Sequence, residues 1–176
     1  MNWAQVQEGR LGGAFEEWIG EAEWKLSADA NRLTVANDGG EVRYYVGWDE
    51  YSFVLTRAER ASDEKFVMSA GSLVDIERYL TARVGYELRQ LRSDPWIWIP
   101  FDSSDVAAGF QLVQYGTATS GLKRVTGEVL DVRWRDSMVH PAVEFSYYAD
   151  AEPADIRRSF DSPDGGPLFA EFVKER

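Results

Sequence analysis

The sequence predicts an α+β fold: an antiparallel β-meander packed against one long amphipathic helix, with residues 1–176 forming a single domain. Three observations carry this. Short β-rich runs separated by turn signals fill residues 24–70. Residues 72–92 then repeat apolar side chains at helical spacing, and alternating runs resume after them. Strands and helices do not alternate one for one, so the order argues against βαβ units and a parallel sheet.

Taking the elements in order, Phe15, Trp18 and Ile19 give residues 14–19 the spacing of a short amphipathic helix, which Gly20 is expected to stop. From Trp24 the period changes to two, through Trp24, Leu26 and Ala28. The runs LTVA, EVRYYVGW, YSFVLTRAE and KFVMSA follow as strands. Between the first two of these runs, Asn37-Asp38-Gly39-Gly40 supplies an Asp-Gly pair suited to the positive φ angles of a tight hairpin. Ser72 is a good N-cap with Asp75 three residues on, and Ser93-Asp94-Pro95 closes the helix. Leu73, Ile76, Leu80, Val84, Leu88 and Leu91 span an arc of about 120°, the width of a stripe facing a sheet. Gly85 lies on the opposite side, where its cost of about 1 kcal/mol relative to alanine points to a close approach by another backbone. After the apolar segment WIWIPF, the runs FQLVQY, KRVTGEVLDVRW and AVEFSYY read as further strands, and PADIRRSF as a last short helix.

Composition bounds the chemistry. At 176 residues the chain can bury roughly two thirds of its unfolded surface. Its formal charge of −11 repels nucleic acid and anionic lipid and favours a basic partner or simple solubility. With no cysteine, thiol nucleophiles and zinc–thiolate sites are excluded. No secretory pattern and no long apolar run appear, so a cytoplasmic protein with no membrane association is expected. Seven tryptophans are more than a small domain readily buries, and exposed aromatic side chains mark partner surfaces. Acidic residues gather at the ends: Glu8, Glu16, Glu17, Glu21, Glu23 and Asp29 stand against Arg10 and Lys25 in residues 1–30. If the ends meet, they form an acidic face that attracts a basic partner.

Catalytic signatures are missing. His140 is the lone histidine, set before Pro141, which rules out a histidine metal cluster and favours a structural role. The glycines of GRLGG do not match a dinucleotide fingerprint, and no strand precedes them. Glu77 and Glu87 project into the apolar arc of the long helix, so a small hydrolase using a buried Glu77 is one alternative. A rise of 1.5 Å per residue sets the pair about 15 Å apart, against roughly 5 to 9.5 Å for paired glycosidase carboxylates. Each is instead expected to meet an arginine or a backbone group, because an unpaired buried charge is costly. Arg78, Arg83, Arg89 and Arg92 scatter around the same helix and form no single anion-binding stripe. No catalytic residue, metal site or cofactor is assigned, and a general protein-interaction module is the other alternative.

The stretch from YYVGWDEYSFVLTRAE through the SAGS lead-in and DIERYL to YELRQ resembles a family of immunity proteins from bacterial polymorphic toxin systems, in particular mycobacterial antitoxins. The resemblance implies a non-enzymatic inhibitor that binds a secreted NAD glycohydrolase toxin in the producing cell's cytoplasm and occludes its NAD cleft. It further implies toxin binding through Gly9, Arg10 and Leu11. Glycine allows close backbone approach and a guanidinium brings five donors to a polar cleft.

Overall fold

A computed structural model describes residues 11–29, 31–135 and 140–175. The chain begins with helix α1 (Gly13–Gly20), then runs through five strands: β1 (Trp24–Ala28), β2 (Leu33–Asn37), β3 (Val42–Trp48), β4 (Phe53–Glu59) and β5 (Lys65–Ala70). Helix α2 (Leu73–Arg92) follows, then β6 (Trp96–Ile97), β7 (Phe110–Tyr115), β8 (Thr119–Arg124) and β9 (Val132–Arg135). Helices α3 (Pro141–Ser146) and α4 (Pro153–Asp161) precede a last short strand, β10 (Val173–Lys174). Eight strands form one antiparallel sheet in the order β1-β2-β3-β4-β5-β9-β8-β7, and β6 pairs with β10 in a separate ladder. The sheet is thus a forward meander joined at β5 to a second meander running in reverse, in agreement with the α+β expectation.

Sequence chemistry fixes most boundaries. Ser72 Oγ accepts a hydrogen bond from Val74 N at 3.2 Å and starts α2. Asp75 does not close a capping box; its carboxylate turns to Arg78, 2.7 Å away. At the other end Ser93 takes the left-handed conformation, φ 59°, and Asp94 N bonds back to Arg89 O at 3.0 Å. The β2–β3 connection is one turn of 3₁₀ helix over Asp38–Gly40, in which Gly39 and Gly40, rather than Asp38, carry the positive φ.

The core lies between the helical layer and one face of the sheet. On α2 the expected stripe is buried at Ile76, Leu80, Val84 and Leu88, but Tyr79, Thr81, Ala82, Gly85 and Arg89 are buried too. The reason is a second cover. Helix α4 packs along α2, and the Phe160 ring lies where a Gly85 side chain would project. Leu91 departs from the stripe and is 58% exposed, because the last turn of α2 turns Arg89 inward instead. The Arg89 guanidinium donates to the carbonyls of Pro95, Phe160, Ser162 and Pro163 at 2.6–3.2 Å, which ties the segment after α4 to the end of α2.

One expected element changes type. AVEFSYY reads as a strand, but residues 141–146 form α3. Pro141 sits in the first helical turn, where its missing N–H costs nothing, with His140 at the capping position. Ala142, Val143, Phe145 and Ser146 are all buried, packed over β7, β8 and β9. A short, nearly continuous apolar run has no period that separates helix from strand. Trp18, Trp24 and Trp134 are buried, whereas Trp96 and Trp98 remain exposed, as their number led us to expect.

Candidate functional site

Of the three residues assigned to a binding turn, Gly9 and Arg10 lie outside the described residues. Leu11 is described and is 2% exposed, and it lines a small cavity with Leu26, Ala28 and Leu33 of β1 and β2. Behind it, Gly12 O accepts from Phe15 N at 2.7 Å and opens α1, whose Phe15, Trp18 and Ile19 enter the core. A Cβ on Gly12 or Gly13 would meet nothing within 4 Å, so these glycines are not required by crowding. Gly12 N reaches Glu77 Oε2 at 3.5 Å, at the long limit of a hydrogen bond. The chain at Leu11 and Gly12 is therefore set by apolar burial of Leu11 first and by the α2 carboxylate second.

Glu77 itself is held by Arg157 of α4, Nη1 to Oε1 at 2.9 Å, with side chains 12% and 14% exposed. Glu87 accepts from the Trp24 indole N–H at 3.0 Å. Each half-buried carboxylate has a partner that offsets its desolvation, one an arginine and one an indole. Neither partner was identifiable in sequence, since Arg157 lies far along the chain from Glu77 and Trp24 precedes Glu87 by a whole meander.

A second buried polar group centres on Arg83. Its guanidinium pairs with Glu144 of α3 and lies 5.1 Å from the ring centroids of both Tyr79 and Tyr86. The Tyr86 hydroxyl donates to the same Glu144 oxygen at 3.0 Å. Burial opposes the charge on Arg83, yet the surrounding Tyr79, Tyr148, Tyr86 and Tyr44 phenols hold its pKa above the usual arginine value. Burial raises the pKa of Tyr148, Tyr79 and Tyr86 in turn, so they remain neutral hydroxyls. This arrangement ties α2 to α3 through one oxygen of Glu144. Arg78 and Arg92 are likewise engaged separately, Arg78 with Ala151 O and Asp75, and Arg92 with Asp161 and Glu21. The scattered arginines are structural ties.

His140 caps α3 through its backbone, and its N–H donates to Phe101 O at 3.2 Å. Among the described residues no group of three or more His, Asp or Glu is placed to hold a metal ion. Nor is any helix among them long and apolar enough to cross a membrane. The ends of the chain do meet: the Trp18 indole donates to both Asp161 oxygens at 3.0 and 3.1 Å, and Glu17 and Glu21 of α1 face Arg157, Arg158 and Asp161 across a shallow groove.

Glu77 and Glu87 are both engaged within the fold, and the matching family is one of immunity proteins. The model of the immunity protein 61 family matches residues 18–168, and the chain belongs to that family. It is 33% identical over 148 residues to the immunity factor for TNT of Mycobacterium tuberculosis, an alignment covering 78% of this chain and 78% of that protein. The immunity factor for TNT homolog of Mycobacterium bovis BCG matches to the same extent. The solved structure of Rv3902c from M. tuberculosis has a TM-score of 0.78 at 27% identity, covering 90% of this chain and 92% of that one. The chain is an immunity protein, and a cognate toxin is the partner that role implies.

Proposed function

We propose that this immunity protein neutralises an NAD glycohydrolase toxin stoichiometrically, in the cytoplasm of the producing cell, by inserting Gly9 and Arg10, anchored by the buried Leu11, into the toxin's NAD cleft. The observation that carries the reading is the burial of Leu11 at 2% exposure. Burial of Leu11 fixes the point in the chain that follows Gly9 and Arg10, and an anchored segment loses less entropy on binding than a free one. In this reading Leu11 seats the base of the turn, Gly9 gives it a narrow tip, and Arg10 supplies the donors. The engagement of Glu77 and Glu87 by Arg157 and Trp24 supports inhibition by binding rather than by chemistry.

The test compares variants in an assay of toxin NAD cleavage. Arg10→Ala weakens inhibition by about 2 kcal/mol or more, as expected for a central desolvated arginine, while thermal unfolding of the free protein stays unchanged. Arg10→Glu weakens it further, because it replaces the guanidinium donors with a carboxylate that must be desolvated on entry. Wild-type inhibition by Arg10→Ala near the wild-type dissociation constant overturns the role of the turn.

A further inference from the structure

Against the net charge of −11, one concave surface of the protein is basic. An open cleft of about 730 Å³ lies at the ends of β4, β5 and β9, lined by Arg57, Arg60, Lys65 and Arg135 with Glu59 as the one acid. Phe66, Val67 and Pro141 add apolar surface, and Tyr79 of α2 reaches it from below.

Three features mark this charge as more than ordinary surface decoration. Arg57 and Lys65 are register partners across β4 and β5, and like charges directly opposite each other destabilise an antiparallel pair. Arg57 is offset by Glu59, and Arg60 lies 3.7 Å from Glu41, but among the described residues Lys65 and Arg135 have no carboxylate partner. Finally, Arg57 Nε is buried without a hydrogen-bond acceptor among the described residues. The cleft is therefore bordered by two cations without a carboxylate partner among the described residues, Lys65 and Arg135, and by one unsatisfied Arg57 N–H.

We infer that this cleft docks an extended acidic segment of a protein partner, whose carboxylates pair with Lys65 and Arg135 while their methylene stems lie on Phe66 and Val67. The cations sit apart on three strands around a partly apolar floor, which suits side chains spaced along a peptide. A phosphate group, by contrast, selects donors that close on one point. A short acidic segment fits within the cleft, whereas a long polyanion such as nucleic acid extends past it onto the acidic remainder of the molecule, which repels it. The site lies on β4, β5 and β9, whereas Leu11 packs at β1 and β2, so the inference is independent of the plug at the N-terminal turn.

The test uses the full chain, ¹⁵N-labelled, titrated with acetylated hexaglutamate at low salt and followed by amide shifts. Saturable shifts are expected at residues 57–67, Tyr79 and Arg135, with affinity falling about tenfold in K65E/R135E and less in K65Q/R135Q. Both substituted side chains are exposed, and amide spectra that match the wild type away from the cleft show that each variant is folded. Shifts spread evenly over the surface, equal response to hexalysine, or affinity unchanged in both variants overturns the inference. Tighter saturation of the same residues by inorganic pyrophosphate also overturns it, because the cleft is then a phosphate site.

Discussion

Glu77→Ala tests whether the carboxylate that most resembles a catalytic group is a structural tie. The substitution removes the partner of Arg157, 2.9 Å away, and the distant acceptor for Gly12 N. Breaking a fully buried ion pair costs about 3–5 kcal/mol, and an exposed one about 0–1 kcal/mol. With side chains 12% and 14% exposed, the pair lies near the buried end but within reach of water, so we expect a loss of about 2–3 kcal/mol. Arg157→Ala should cost a similar amount. The double variant should fall short of the sum by about 1–2 kcal/mol, since each single change strands the other charge. Urea unfolding followed by tryptophan fluorescence measures all four corners of the cycle. Inhibition of the toxin by the folded fraction should change by less than about threefold, because burial of Leu11 still seats the turn. A Glu77→Ala shift below about 0.5 kcal/mol would refute the argument and return Glu77 to the surface.

Gly85→Ala should lower the melting temperature. The new Cβ would sit 2.5 and 2.7 Å from two Phe160 ring carbons, and overpacking of about 1–3 kcal/mol outweighs the helix-propensity gain of about 1 kcal/mol. An unchanged or raised melting temperature would show that Phe160 can move aside. Acidification should destabilise the protein: the Arg124 hydrogen bond holds Asp150, and the Ser52 backbone N–H holds Asp49, below the unfolded value of 3.8. Their contribution is present above that value and is lost as pH falls through the lower folded-state values. Asp75, raised by burial, works in the opposite sense, its penalty disappearing on protonation. Urea unfolding between about pH 5 and pH 2 should show the net loss, with a shallower slope in Asp150→Asn. If the acidic ends steer a basic toxin, its association rate should fall about tenfold between low and physiological salt while dissociation hardly changes. Stopped-flow mixing that gives a salt-independent rate would confine the −11 charge to solubility.

The helix α2 was legible because its signals are local: Ser72, the apolar spacing and Ser93-Asp94-Pro95 all act within one segment. The same holds for β1 to β5, where period-two runs alternate with turns. Local signals failed at α3, whose short apolar run fits either structure until β7, β8 and β9 cover it. They failed at Leu91 as well, because the position of α4 decides which side of the last turn is inside. On the candidate site, the pairing of Glu77 was anticipated in kind but not in partner. Arg57, Arg60, Lys65 and Arg135 never stood out, since only the meeting of β4, β5 and β9 places the last of them beside the others.

The junction between the two meanders has a kinetic consequence. Strands β5 and β9 join through three residue pairs, Met68 with Trp134, Ser69 with Arg133 and Ala70 with Val132, extended by Gly71 N donating to Asp131 O at 2.9 Å. Most other neighbouring strands of the large sheet follow one another directly in the chain and close short loops, so each half can form on nearby partners. The seam closes a loop that contains α2 and all of β6 to β8, and its entropy must be overcome before any of its hydrogen bonds repay it. Zipping of this narrow seam is therefore the late step of folding, and an encounter of one molecule's β5 with another's β9 before that step is the natural route to a domain-swapped dimer.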